Sequence, residues 1–238
     1  MSKNAPKNIY WFIINLSRSN PIFRSIVDFF ALIYYKIFRA NRCFEFQGTT
    51  YKYFYHSYNR TVAGERIVEI PIAKELVDKY QGKSILEVGN VLSHYFNVDH
   101  DIVDKYEIVP RVINEDIVSF NPQKRYDIII SISTFEHIGH DYGEEQSPKK
   151  FIAAVKNLKK LLAPGGQLFI TVPTSFNEFL HKLIMTHKMP FTNEYYLQRI
   201  SYLNDWKQVQ FTEIQLCDGY DSHYANANCL YIGQFFKK

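Results

Sequence analysis

Hydrophobic and polar positions change rhythm three times along the 238-residue chain. Between residues 22 and 39, Ile22, Phe23, Ile26, Val27, Phe29, Phe30, Ile33 and Ile37 recur at helical spacing. Arg24, Asp28, Tyr35 and Arg39 fall near one line, flanked by Ser25 and Lys36. So wide an apolar face must be covered by something. From Phe44 to Tyr58 ("FEFQGTTYKYFYHSY"), aromatic and β-forming residues surround one glycine, which predicts a short hairpin or an extended segment whose aromatics pack against the N-terminal arm or wall a ligand pocket. Thr61 to Tyr80 return to a helical pattern. Pro71 is expected to open a second segment there, because proline fits a first helical turn and breaks an interior.

From Ser84 onward, apolar runs alternate with helical stretches: "SILEVG", "HDIVD", "RVIN", "YDIIISIS", a Lys-rich helix from Pro148 to Leu162, then "GGQLFITVP". Near-continuous Ile and Val strands separated by helices imply an α/β fold with a doubly wound, mostly parallel sheet covered by helices on both faces. Pro164 and Gly165 end the Lys-rich helix and turn the chain into the next strand. Val209–Cys217 and Cys229–Phe236 are expected to finish the sheet. The chain thus reads as an N-terminal helical and aromatic extension, 1–60, followed by one α/β domain, 61–238.

The net charge of +4 is unevenly placed. Residues 1–42 hold seven Lys and Arg against Asp28 alone, a net +6, while the remainder carries 21 basic and 23 acidic residues, a net −2. A basic, apolar arm of this kind has two readings. It packs on the rest of the protein or a second subunit, or it makes peripheral contact with an anionic membrane through residues 1–42. Past the arm the slightly acidic chain argues against nucleic acid as a partner. Cys43, Cys217 and Cys229 are odd in number and lack CxxC spacing, which argues against a disulfide framework and a zinc site and fits a reducing cytoplasm. Neither a signal peptide nor a spanning helix is read in the apolar run Ile9 to Leu16.

"SILEVGNVLSHYF" raises the chemical question, because its strand end carries one glycine where nucleotide-binding turns carry two or three. A dinucleotide needs those glycines so that the backbone can approach a pyrophosphate, and Glu87 beside the turn repels phosphate. "ILEVGN" resembles instead a degenerate first motif of the class I S-adenosylmethionine-dependent methyltransferases, whose Rossmann-like cofactor site meets a sulfonium and an amino group. The resemblance covers Ile85 to Pro173 and, more loosely, residues 61–238. "EVGNVLSHY", "VDKYE" and "STFEHIG" together are similar to a group of small methyltransferase-like proteins, several associated with surface-glycan biosynthesis. The resemblance implies that Glu87 helps hold the methionine amino end of S-adenosylmethionine and that Gly89 lets the cofactor past. It also implies that Asp104 holds the ribose hydroxyls and that Asp116 with the Ile117 amide meets the adenine edge. The short interval from Gly89 to Asp104 requires a brief intervening helix.

Glu136 and His137 follow the fourth strand, near where the methyl group should point. His137 is the candidate general base for a hydroxyl acceptor, because its unperturbed pKa lies near neutrality. Its alternative role is to fix the loop. His140, Asp141, Glu144 and Glu145 add metal-ligand types in "HIGHDYGEE", but the interspersed glycines argue against a rigid ligand-bearing helix, and no metal is expected. The function expected is transfer of a methyl group to a small-molecule or glycan/lipid-linked acceptor, by O-methylation, in the cytoplasm or at the inner face of the membrane. The competing expectation is an inactive methyltransferase-like binding protein.

Overall fold

The computed structural model describes residues 9–140, 147–215, 217 and 219–238. Helices α1 (Ile9–Ser19) and α2 (Pro21–Phe38) come first. Asn20 separates them: its side chain accepts the Ile22 and Phe23 amides at 3.0 Å, and Pro21 takes the first helical position, where a missing N–H costs nothing. Strands β1 (Cys43–Phe46) and β2 (Thr49–Lys52) form the expected antiparallel hairpin. Gln47 and Gly48 turn it with φ of 51° and 74°, the positive values that a tight hairpin of this twist requires. Phe44 stacks on Tyr51, and Tyr55 lies 5.1 Å from Tyr35 of α2, so the aromatics do pack against the arm.

Helix α3 (Arg66–Lys79) runs through Pro71 instead of starting at it, which corrects the sequence expectation. The carbonyl of Ile67, which residue 71 would normally bond, accepts the Phe54 amide at 3.0 Å, so the missing proline N–H leaves no buried acceptor unmet. There follow β3 (Ile85–Val88), β4 (Asp101–Val103), β5 (Val112–Ile113), β6 (Tyr126–Ile132), α4 (Pro148–Leu161), β7 (Leu162–Pro173), α5 (Glu178–Met185), β8 (Asn193–Arg199), β9 (Trp206–Val209), α6 (Phe211–Ile214) and β10 (Cys229–Phe236). The run Val209–Cys217 is not the expected strand. Val209 ends β9, and α6 begins where the Glu213 carboxylate reaches back to the Gln210 amide at 2.9 Å.

A second correction concerns the cysteines: Cys217 and Cys229 form a disulfide. The intervening chain folds back on itself through Asn226 N–H to Asp221 Oδ1 at 2.7 Å and Asn228 Nδ2 to Gly219 O at 2.8 Å, which no Cys spacing announces. The reading of a reducing compartment rested on unpaired thiols and loses that support.

The chain divides into two compact units, Met1–Ile72 with Tyr196–Leu230, and Ala73–Tyr195 with Tyr231–Lys238. The boundary expected near residue 61 rests on composition and these units on packing, so the two divide the chain on different grounds.

In the unit containing Ala73–Tyr195 the strands run in the order β5-β4-β3-β6-β7-β10, and the pairs β3·β4, β4·β5, β3·β6 and β6·β7 are all parallel. Ile128, Ile129, Ile130 and Ile132 of β6 and Leu168, Phe169, Ile170 and Val172 of β7 are all buried, which is why both strands read as unbroken apolar runs. Helix α4 buries Phe151, Ala154, Val155, Leu158 and Leu161 at helical spacing and exposes Lys149, Lys156 and Lys160. The chain leaves β3 toward β4 and β5, then returns to the other side of β3 as β6. The crevice at the carboxyl ends of β3 and β6 is therefore the topological switch point, where open α/β sheets bind ligands.

In the other unit β8 and β9 pair antiparallel. Arg199 at the end of β8 is buried and donates to the carbonyls of Ala63, Ala225 and Ser201. Asp205 pairs with Arg39 at 2.5 Å and Arg42 at 3.1 Å and accepts the Ser201 hydroxyl at 2.6 Å, fastening the carboxyl end of α2.

Candidate functional site at the carboxyl ends of β3 and β6

Gly89 leaves β3 with φ +85°, and a Cβ there would lie 2.2 Å from Thr134 Oγ1. Only glycine meets both demands. Its amide donates to Val103 O at 2.9 Å, tying the turn to β4. Glu87, fully buried in β3, aims its carboxylate into the same turn. Oε1 accepts the Val91 and Leu92 amides at 2.8 and 2.7 Å, and Oε2 lies 2.8 Å from His100 Nε2. A buried carboxylate is tolerable when it is paired and hydrogen-bonded in this way. The consequence is chemical: the amides that would face a pyrophosphate are already occupied by an anion.

The expected brief helix between β3 and β4 is a single 3₁₀ turn, Leu92–His94. Asp104 sits just past β4. Its Oδ1 accepts the Tyr106 and Glu107 amides at 2.8 and 2.9 Å, and its Oδ2 accepts the Asn90 amide at 3.2 Å. Asn90 Nδ2 donates to Glu107 at 2.9 Å, and His94 Nε2 lies 3.1 Å from the same carboxylate. Asp104 thus reaches the turn of Glu87 and Gly89 through the Asn90 amide. Asp116, past β5, accepts the Val118 amide at 2.9 Å and pairs with Lys105 at 3.0 Å, so it caps its turn and joins it to the segment after β4. Ile117 is buried, and its carbonyl accepts Asn157 Nδ2 at 2.9 Å.

On the β6 side, Ser131 Oγ donates to Val88 O at 2.9 Å, which locks the ends of β3 and β6 together. Ser133 occupies a left-handed conformation, φ 38°, held by its amide to Thr171 O at 3.1 Å. A 3₁₀ turn, Phe135–His137, follows. Glu136 is buried, and its carbonyl accepts Asn177 Nδ2 at 2.8 Å, while Asn177 Oδ1 caps α5 by accepting the Leu180 amide at 3.1 Å. Glu136 Oε1 lies 3.8 Å from His137 Nε2. The His137 ring is partly exposed and meets Phe176 edge-on at 5.0 Å.

Sequence reasoning did not single out His94, His100, Glu107, Thr134 or Asn177. Nor did it single out Asn90. "VDKYE" carried the signal for Glu107, whereas nothing local marks His100 as the partner of Glu87. Among the described residues no group of three or more His, Cys, Asp or Glu side chains is placed to hold a metal ion. Asp141, Glu144 and Glu145 lie outside the described residues.

A methyltransferase-domain family matches residues 64–216, more than half of the chain, and the protein belongs to that family. No curated protein sequence matches it. Among solved structures the chain is similar to the N-methyltransferase NodS from Bradyrhizobium japonicum WM9, at 15% identity over 71% of this chain and 96% of that one, with a TM-score of 0.41. It is similar to a S-adenosylmethionine-dependent methyltransferase from Clostridium acetobutylicum ATCC 824, at 12% identity over 90% and 100% of the two chains, with a TM-score of 0.38. It is also similar to the sugar N-methyltransferase KedS8 from Streptoalloteichus sp ATCC 53650, at 12% identity over 82% and 97%, with a TM-score of 0.38.

Proposed function

We propose that the protein is an S-adenosylmethionine-dependent methyltransferase acting on an oxygen of a small or glycan- or lipid-linked acceptor. One observation carries the choice of cofactor within the family: the Val91 and Leu92 amides at the switch point are taken by Glu87, with Asp104 and Glu107 beside them. A pyrophosphate finds carboxylates there instead of open N–H groups. A cofactor with a sulfonium, an amino group and a ribose finds complementary charge and acceptors. In this reading Gly89 admits the cofactor past the backbone, Asp104 Oδ2 receives a ribose hydroxyl, and Asp116 with the Ile117 amide borders the adenine. Glu87 acts through the turn it shapes.

S-adenosylmethionine brings both the methyl group and its leaving group, so the chain has to align the acceptor and exclude water. His137 accepts the acceptor hydroxyl's proton at Nε2 as the methyl group passes to the oxygen. Replacing the imidazole, His137→Gln, is expected to lower kcat roughly 10²- to 10⁴-fold with KM little changed. A variant with undiminished kcat assigns His137 to the loop alone. Release of S-adenosylhomocysteine upon addition of a sugar or lipid-linked hydroxyl acceptor separates the enzyme from an inactive binding domain, which would bind the cofactor and release none. Peripheral contact with a membrane through residues 1–42 completes the reading, and helices α1 and α2 carry it.

A further inference from the structure

Strand register explains how His100 comes to face Glu87. In the parallel pair β3·β4, Glu87 stands level with Ile102, and residues level with one another in a sheet point to the same face. His100 lies two residues before Ile102, so the strand period of two returns it to that face as a diagonal neighbour of Glu87. Asp101, between them, points the other way, where its carboxylate meets the Tyr126 hydroxyl at 2.9 Å and Lys124 at 2.6 Å. The result is a closed pair: His100 Nε2 lies 2.8 Å from Glu87 Oε2, with the two side chains 3% and 0% exposed. An ionised carboxylate only accepts, so Nε2 is the nitrogen that carries the proton. The Val91 and Leu92 amides fill Glu87 Oε1, and the imidazole meets Oε2.

A buried carboxylate keeps its charge only while it is paired and hydrogen-bonded, because an unmet charge in a dry site is costly and the group neutralises instead. The other charged groups around the turn are engaged elsewhere. His94 pairs with Glu107 at 3.1 Å, Lys105 pairs with Asp116 at 3.0 Å, and Asp104 takes the amides of Asn90, Tyr106 and Glu107. S-adenosylmethionine carries one positive charge more than S-adenosylhomocysteine, its sulfonium, so a fixed negative charge at the switch point favours the substrate over the product. We propose that His100 is a positioning residue that holds Glu87 as a fixed anion beneath the turn, and that the pair sets the preference of the site for S-adenosylmethionine over S-adenosylhomocysteine. The proposal rests on the methyltransferase reading of the site.

Titration calorimetry of the full chain with S-adenosylmethionine and with S-adenosylhomocysteine tests it, alongside Tm. His100→Leu removes the donor and keeps the bulk. It is expected to weaken S-adenosylmethionine about fivefold or more beyond its effect on S-adenosylhomocysteine, the order of one unit charge acting at long range in a protein. His100→Gln carries an amide donor at the reach of Nε2 and should keep the wild-type ratio of the two affinities. Glu87→Gln removes the charge while its amide oxygen can still take the Val91 and Leu92 amides. It should shift the ratio as His100→Leu does, and it decides the matter should His100→Leu fail to fold. A residue that only fastened the loop to β3 would lower Tm and weaken both ligands alike. Equal weakening of the two ligands in a folded His100→Leu, or an unchanged ratio in Glu87→Gln, overturns the proposal and leaves the cofactor assignment standing. A wild type that binds neither ligand overturns both.

Discussion

At the turn after β3, polar groups are met from within the chain: one Glu87 oxygen takes two amides, the other faces His100, and Asp104 binds three more amides. In α2 Asp28 and the capping Arg39 are likewise met from within, by Arg60 and Asp205, but the apolar side chains are not covered. The two regions place their unmet needs on opposite chemistries. The turn has backbone donors filled by carboxylates, and in the proposed reading it therefore disfavours phosphate and suits a cationic ligand. The helix has Asp28 and the capping Arg39 paired and presents hydrocarbon on its other side, at about 25 cal/mol for each Å² that a partner would cover. Internal satisfaction thus defines what each surface leaves for a partner to supply.

The sharpest way to break the comparison is to spoil the turn without touching its carboxylates. Gly89→Ala imposes a left-handed conformation on a residue with a side chain, costing about 1–2 kcal/mol, and overpacks against Thr134 by about 1–3 kcal/mol more. Titration with S-adenosylhomocysteine should show binding lost or weakened beyond about a hundredfold, equivalent to about 2.7 kcal/mol, with a lowered Tm. Thr134→Ala in the same chain should restore part of the stability, because it removes the nearest of the crowding atoms.

Next in size is the fastening of α2. Asp205→Asn removes the carboxylate between Arg39 and Arg42, and loss of one partner of a largely buried pair costs about 3 kcal/mol. Burial pushes the Asp205 carboxyl up, but hydrogen bonds from Ser201 and Arg42 and the charge of Arg39 outweigh it and hold the group below the usual carboxylate range. A depressed folded-state pKa contributes stability that is full above the unfolded value, about 3.9, and is lost as pH falls through the folded one. Denaturant titrations should therefore show the wild-type advantage over Asp205→Asn holding from neutral pH to about 4 and shrinking below that. An advantage that instead shrinks toward alkaline pH would mean that the pair is not what holds the helix.

Asp104 gives the smallest and most specific effect. Asp104→Ala should weaken S-adenosylhomocysteine about tenfold to a hundredfold, the equivalent of about 1.5 to 3 kcal/mol for a charged hydrogen bond. Asp104→Asn should fall between, since Oδ1 can still cap the Tyr106 and Glu107 amides. Asp101 should tolerate Ala in the same titration, because its carboxylate faces Tyr126 and Lys124. Unchanged affinity in a folded Asp104→Ala places the ribose elsewhere.

The parallel strands were legible because both of their faces are buried, which leaves no polar residue to interrupt Ile128 to Ile130 or Leu168 to Ile170. Strand β8 was not legible. "NEYYLQR" alternates too loosely, and its buried Arg199 is satisfied by carbonyls from Ala63 and Ala225, distant in sequence. The disulfide was hidden for the same reason, since Cys217 and Cys229 meet only when the loop between them closes. At the site, the positions of Glu87, Gly89 and Asp104 could be read, but what their atoms touch could not. Glu87, expected at the methionine amino end of the cofactor, also accepts two amides of the turn and faces His100, contacts that no local pattern announces. In α2 the polar line could be read, but the direction it faces depends on Arg60 and Asp205.

The central claim is that the switch point holds a phosphate-free, positively charged cofactor. Thermal shift of the full chain with S-adenosylmethionine, S-adenosylhomocysteine, NAD and NADP at matched concentrations tests it most directly. The first two are expected to raise Tm, by the equivalent of roughly 2.7 kcal/mol at a hundredfold excess over Kd, and the two dinucleotides to leave it unchanged. A clear rise with NAD or NADP and none with S-adenosylhomocysteine would contradict the account.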